Sequence, residues 1–243
     1  ICGDSTKQET YNTLLGDNKV NLVLTDPPYN VNYESSAGKI KNDNMAADKF
    51  YQFLLDAFTC MEKAMAVDAS IYIFHADTEG LNFRRAFADA GFYLSGCCVW
   101  KKQSLVLGRS PYQWQHEPVL YGWKKSGKHQ WYTGRKETTI WEFDKPKKNG
   151  DHPTMKPIPL LAYALGNSTQ TNGLVLDPFG GSGSTLIACE QTGRVCYTAE
   201  LDEKFCDVIV NRYIEQVGTD ENVSVIRNGQ TLKYEEVKNG TDE

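Results

Sequence analysis

Apolar residues recur along the chain with two alternating periods. Residues 20–25 (VNLVLT) form a short β-branched run stopped by Asp-Pro-Pro, which reads as a buried strand. Residues 47–67 place Phe50, Phe53, Leu54, Ala57, Phe58, Met61 and Met65 at helical spacing, with Asp48 in the first turn. Strand patterns follow at 70–75, 92–100 and 118–123, with a helix over 78–90 that ends at Gly91. Residues 124–157 are polar and interrupted, and read mostly as loop. A helix at 158–165, a strand at 174–176, a glycine turn at 180–183 and a helix at 184–191 come next. A strand at 195–199 and an amphipathic helix at 203–217 complete the series. Asn228-Gly229 between residues 223–227 and 231–235 signals a hairpin. Strands alternating with helices predict an α/β sandwich with a mostly parallel central sheet. The expected organisation is one domain over 1–217 followed by a hairpin tail over 218–243.

Composition narrows the class. A chain of 243 residues with 40% hydrophobic and 23% charged residues excludes disordered, collagenous and coiled-coil classes. No apolar run approaches the ~18 residues of a membrane span and no signal peptide is visible, so no membrane partner is expected. The chain begins at Ile1, so the natural protein is expected to be trimmed there or to extend upstream. Seven cysteines without a CxxC pair argue against a disulfide framework and against zinc, so no metal site is expected. A reduced, cytoplasmic compartment is the expectation from this cysteine usage.

The net charge of −5 by itself points away from nucleic acid, yet its distribution does not. Residues 101–148 hold eleven Lys or Arg against four acids, a local +7 on a body of −12. All five tryptophans fall between positions 100 and 141. A basic, aromatic segment on an acidic body is a nucleic-acid footprint. The plainer alternative is a solvated charged loop with core tryptophans.

In such sheets ligands bind beyond the carboxyl ends of strands, and two predicted strand ends carry unusual chemistry. At the first, Asp26-Pro27-Pro28-Tyr29 clusters a carboxylate and carbonyl oxygens beside an aromatic face, because prolines fix the backbone and remove N–H donors. This suits a planar substrate with an exocyclic NH₂; the plainer reading is a stiff turn with a capping acid. At the second, 175–185 (VLDPFGGSGST) runs from a strand through glycines into a helix N-terminus. Three ligands compete there. A phosphate loop would need Gly-Lys-Ser/Thr where the chain has Gly183-Ser184-Thr185, and a dinucleotide site would need glycine where Leu186 stands. S-adenosylmethionine offers an amino-acid end for the glycine turn and a ribose diol for Glu200.

Together these motifs resemble the amino-group DNA methyltransferases (N4 and N6), in the beta arrangement that puts the catalytic motif before the cofactor motif. Cys2-Gly3-Asp4, the stretch from His152-Pro153-Thr154 to Met155-Lys156-Pro157, and the loop from Asn30-Val31 to Asn42-Asp43-Asn44 add to the resemblance, which covers about residues 2–217. It implies a Rossmann-like S-adenosylmethionine-dependent methyltransferase fold with circularly permuted motif order. Asp26, Pro27, Pro28 and Tyr29 would be catalytic. Asp4 would contact the cofactor adenine, and Glu200 with Leu201 its ribose. Asp177, Pro178, Phe179, Gly181, Gly183, Ser184 and Thr185 would wall the methionine part, and Asp26 would also contact the cofactor. His152, Thr154 and Lys156 would complete the pocket, the last two near the methionine carboxylate.

The implied reaction is methylation of N6 on an adenine flipped out of double-stranded DNA, of the kind found in restriction–modification systems. Cytosine-N4 is the alternative; Asp at position 26 favours adenine within the family's pattern. RNA or a protein amide would go with Asn at that position and the reverse motif order, and a non-catalytic DNA-binding module would not need every motif. A homodimer is the assembly that such relatives suggest. Residues 101–150 would form the target-recognition insert, with Lys101, Lys102, Arg109, Gln113, Trp114 and Arg135 as candidate DNA contacts. The loop 31–46 is long enough to serve as a lid.

Overall fold

The computed structural model describes residues 1–31, 34–35, 38–39, 43–108, 111–144 and 155–238. The elements are α1 (Gln8–Leu15), β1 (Val20–Thr25), the two-residue strands β2 (Glu34–Ser35) and β3 (Gly38–Lys39), α2 (Ala47–Ala64), β4 (Met65–Phe74), α3 (Gly80–Asp89), β5 (Phe92–Val106), β6 (Trp114–Lys124) and β7 (Ile140–Glu142). Then follow α4 (Ile158–Ser168), β8 (Leu174–Asp177), α5 (Ser184–Thr192), β9 (Val195–Thr198), α6 (Glu203–Val217), the hairpin β10 (Ser224–Arg227) and β11 (Gln230–Lys233), and α7 (Tyr234–Lys238).

Seven strands form one sheet in the order β7-β5-β6-β4-β1-β8-β9. β6 runs antiparallel to its neighbours β4 and β5, and the other pairs are parallel. β1 lies centrally because both its faces are apolar. Val20 and Val23 enter one core with α1, α2 and α3, while Leu22 and Leu24 enter the other with α4 and α5. A strand buried on both faces reads as a continuous apolar run, as this one does. The sheet reverses its strand order at β1, between β4 and β8, which opens a crevice at the carboxyl ends.

Several boundaries differ from the pattern. α2 stops at Ala64 because Met65, in helical phase with Met61, becomes the first residue of β4 and pairs with Val20. α1 carries little signal, since it buries only Thr10, Tyr11 and Leu15. β7 lies in the stretch read as loop, anchored by buried Trp141. Tyr234 and Glu235, read as strand, start α7. Of the stretch 101–150 expected to be an insert, the described residues include the end of β5, all of β6 and β7, which join the sheet on one side. Among the described residues, no helix is long and apolar enough to cross a membrane.

Candidate active site

β1 ends at buried Thr25, and the next residue, Asp26, projects at the sheet's carboxyl edge. Pro27 and Pro28 stop the strand, and Asn30 then takes a left-handed conformation (φ 58°). Its side-chain amide clamps the far side of the following loop, donating to the Met45 carbonyl at 3.0 Å and accepting from Met45 N–H at 2.5 Å. Much of the loop expected to act as a lid lies outside the described residues.

A cluster of charged side chains surrounds Asp26. The Lys156 ammonium and the Tyr29 hydroxyl donate to its two carboxylate oxygens. Lys156 also lies 3.2 Å from Glu117 Oε2 and donates to the Tyr29 hydroxyl at 3.1 Å. Glu117 Oε1 in turn pairs with Lys102 at 2.5 Å. Burial pushes the Asp26 carboxyl above the usual carboxylate range, with Lys156 pulling against that and Glu117 adding to it. Burial acts upward on Glu117 too, but Lys156 and Lys102 outweigh it and hold the group at about 2. Lys156 is raised: burial opposes its charge, and the two carboxylates more than offset that. Burial drives the Tyr29 hydroxyl far up.

A second structure occupies the ends of β8 and β9. Asp177 is buried, accepts from Thr25 Oγ1 at 2.7 Å and from Phe179 N–H at 3.2 Å, and is raised by burial to about 7. Pro178 is buried, Phe179 leans on Phe53, and the chain then turns through glycines. A Cβ on Gly180 would sit 2.5 Å from Thr198 Oγ1. Gly183 caps α5 with φ +78°, and a Cβ there would meet Ile209 at 3.2 Å. The N-terminus of α5, with buried Ser184 and Thr185, therefore opens onto a bare backbone. Glu200, just past β9, accepts from Gly181 N–H at 2.7 Å and Asp202 N–H at 2.9 Å. Cys2 pairs in parallel with Glu200, which brings Asp4 beside this turn; Asp4 accepts from the Thr6 N–H and hydroxyl. Leu201 is partly exposed next to it.

The structure thus brings Asp26, Tyr29, Lys156 and Asp177 together, with Thr25 joining the two strand ends. Lys156, expected near the methionine carboxylate, faces Asp26 and Glu117. Lys102, grouped with the DNA contacts, is buried against Glu117 and the Trp100 ring. Trp100 and Trp141 are core residues, as the plainer reading of the tryptophan run has it, while Trp114 is exposed and Trp123 and Trp131 are half-buried. Lys101 and Arg135 are exposed, Lys101 pairing with Glu142, and Gln113 accepts from Gly108 N–H. Arg109, His152 and Thr154 lie outside the described residues. The sequence reading missed Glu117. Its signal was strand phase: Cys98, Trp100 and Lys102 alternate inward on β5, and Glu117 sits opposite Trp100 on β6.

A family model described as DNA methylase (N6 and N4 methyltransferases) matches residues 20–211. "Putative methylase YubD" of Escherichia coli (strain K12) is 30% identical over 204 residues, which cover 77% of this chain and 79% of that protein. The type II methyltransferase M.BglII of Bacillus subtilis is 24% identical, over 82% of this chain and 66% of its own. Among solved structures, the PvuII DNA methyltransferase (cytosine-N4-specific) superposes with a TM-score of 0.70 at 18% identity, over 91% of this chain and 86% of that one. The M1.HpyAVI–SAM complex gives 0.67 at 19% identity, over 88% and 97%.

Proposed function

Because the chain belongs to the DNA methylase family, we propose that it methylates N6 of adenine in double-stranded DNA, using S-adenosylmethionine. The observation that carries this reading is the placement of Asp26. Its carboxylate stands at the end of the central strand, next to Pro27 and Tyr29, and Thr25 links it to the glycine turn.

The residues at the turn fit the cofactor. Gly180, Gly181 and Gly183 leave backbone where a Cβ would clash or be strained, and the start of α5 offers N–H groups to a carboxylate. Glu200 accepts one N–H on each oxygen, which leaves lone pairs for a diol. When bound, S-adenosylmethionine supplies a methyl group already activated by its sulfonium, so the chain need not form a covalent intermediate. The target base must leave the helix stack for its amine to be reached in line. Tyr29 offers a ring for stacking, worth roughly 1–3 kcal/mol. Asp26 and the Pro27 carbonyl accept the two amine hydrogens and turn the nitrogen lone pair toward the methyl group. The Asp26 charge then stabilises the positive charge growing on that nitrogen. Lys101, Gln113, Trp114 and Arg135, on the β5–β6 side of the same sheet, are proposed DNA contacts.

A second reading, cytosine-N4, is favoured by the likeness to the PvuII enzyme. The two are separated by sequencing DNA from cells expressing the protein, with modified bases identified directly and Asp26→Ala as control. N6-methyladenine at a fixed sequence is the expected result. N4-methylcytosine selects the second reading, and unmodified DNA rejects both.

A further inference from the structure

We infer that Glu117 is a positioning residue for methyl transfer: held between Lys102 and Lys156, it keeps the charges around Asp26 in balance. This rests on the proposed role of Asp26. The network holds two ammonium groups and two carboxylates in one line, Lys102–Glu117–Lys156–Asp26. Both lysines are under a tenth exposed. Asp26 keeps 30% of its side chain exposed, but holding the two lysines and Glu117 largely out of water is unfavourable, and well-packed apolar residues would serve stability as well or better there. Their retention beside Asp26 points to electrostatic work.

With Glu117 present, the four groups sum to zero. Without its charge they sum to +1, Lys102 has lost its partner, and Lys156 is left to Asp26 alone. A surplus positive charge would then stand behind a nitrogen that becomes positive as the methyl group arrives. The Tyr29 hydroxyl would also face a neutral amide in place of the Glu117 carboxylate oxygen now 3.2 Å away. Glu117 therefore acts through Lys156 and Tyr29 and touches no reacting atom.

The groups around Asp26 are Tyr29 from its own loop, Lys156 ahead of α4, Glu117 on β6 with Lys102 behind it on β5, His75 past β4, and Asp177 on β8. Glu117 is the member whose negative charge lifts Asp26 most, so its loss moves the acid limb of activity, where Asp26 takes up a proton, to lower pH.

The test compares Glu117→Gln, Lys102→Met and the double variant on single-turnover methyl transfer, with S-adenosylmethionine affinity measured by calorimetry. E117Q is expected to slow the chemical step about 50-fold, the effect of one uncompensated charge at short range in a medium of intermediate dielectric. Cofactor affinity should change less than about threefold, and the acid limb should move down. The K102M/E117Q double variant restores a neutral site and should recover at least about fivefold of the lost rate, with the limb still shifted. A packing role would lower the amplitude and leave the limb in place. Wild-type rate and limb in E117Q, or a double variant no faster than E117Q, would overturn the inference. Where E117Q does not fold, the double variant, which strands no ammonium, decides by its limb: shifted supports, unshifted overturns. An active Asp26→Ala enzyme sinks the underlying reading, whereas an inactive one beside an unaffected E117Q sinks the inference alone.

Discussion

The two strand ends of this site solve different problems with different materials. At β8, the chain shapes a surface from backbone: glycines, a helix start and one carboxylate within a contiguous stretch, with Glu200 a short way on. At β1, it gathers side chains from four separate segments, at positions 26, 102, 117 and 156, and holds them through charge. The first end depends on what is missing, since added atoms would fill it. The second depends on a balance, since each charge is tolerable only beside its partner. Damage to the first should appear in affinity, and damage to the second in rate.

Asp26→Ala tests that division most severely. Methyl transfer should fall by at least about a thousandfold, while S-adenosylmethionine affinity, read by calorimetry, stays within about twofold. Equal loss of both would erase the distinction. Gly183→Asp works in the opposite direction. A side chain forced to φ +78° against Ile209 should cost about 1–3 kcal/mol in melting stability and weaken cofactor binding at least tenfold. Glu200→Ala strands the Gly181 and Asp202 N–H groups and should cost about 1–3 kcal/mol of cofactor affinity, with the rate at saturation little changed.

A pH experiment sharpens the comparison further. Asp177 has a folded value of about 7, above its unfolded value near 4, so the unfolded chain ionises first as pH rises. Stability is therefore lost progressively from about pH 4 to about pH 7 and is flat above that. Asp177→Asn removes this loss, so its melting temperature should gain on wild type at pH 8 relative to pH 5. An equal difference at both values would mean that Asp177 is not held in its neutral form. The smallest effect is expected at the DNA surface. Arg135→Ala should weaken DNA binding a few-fold and reduce the salt slope by about one, as seen in fluorescence anisotropy titrations.

The same contrast explains what was legible beforehand. β1 and α6 match their patterns to the residue, because continuous apolar alternation and a capped amphipathic face are local signals. The glycine turn was equally open to reading, since its geometry is written in adjacent residues. The charged cluster was not: Lys156 lies 130 positions from Asp26, and only the sheet joins them. A lysine in a basic stretch reads as surface unless strand phase is followed past Trp100, which turns Lys102 inward. β7 went unseen because three residues with one buried side chain make no period.

The central position of β1 also has a history within each molecule's making. Its neighbour β4 is synthesised soon after it, but β8 follows about 150 residues later in the chain. Ribosomes add roughly 5–20 residues per second, so for many seconds one margin of an apolar strand stands unpaired, a template for stray chains. Exposed Asn21 interrupts that margin, and in the finished fold its side-chain oxygen receives the Leu174 N–H at the start of β8. One polar residue thus interrupts the apolar strand and receives the strand that closes its margin.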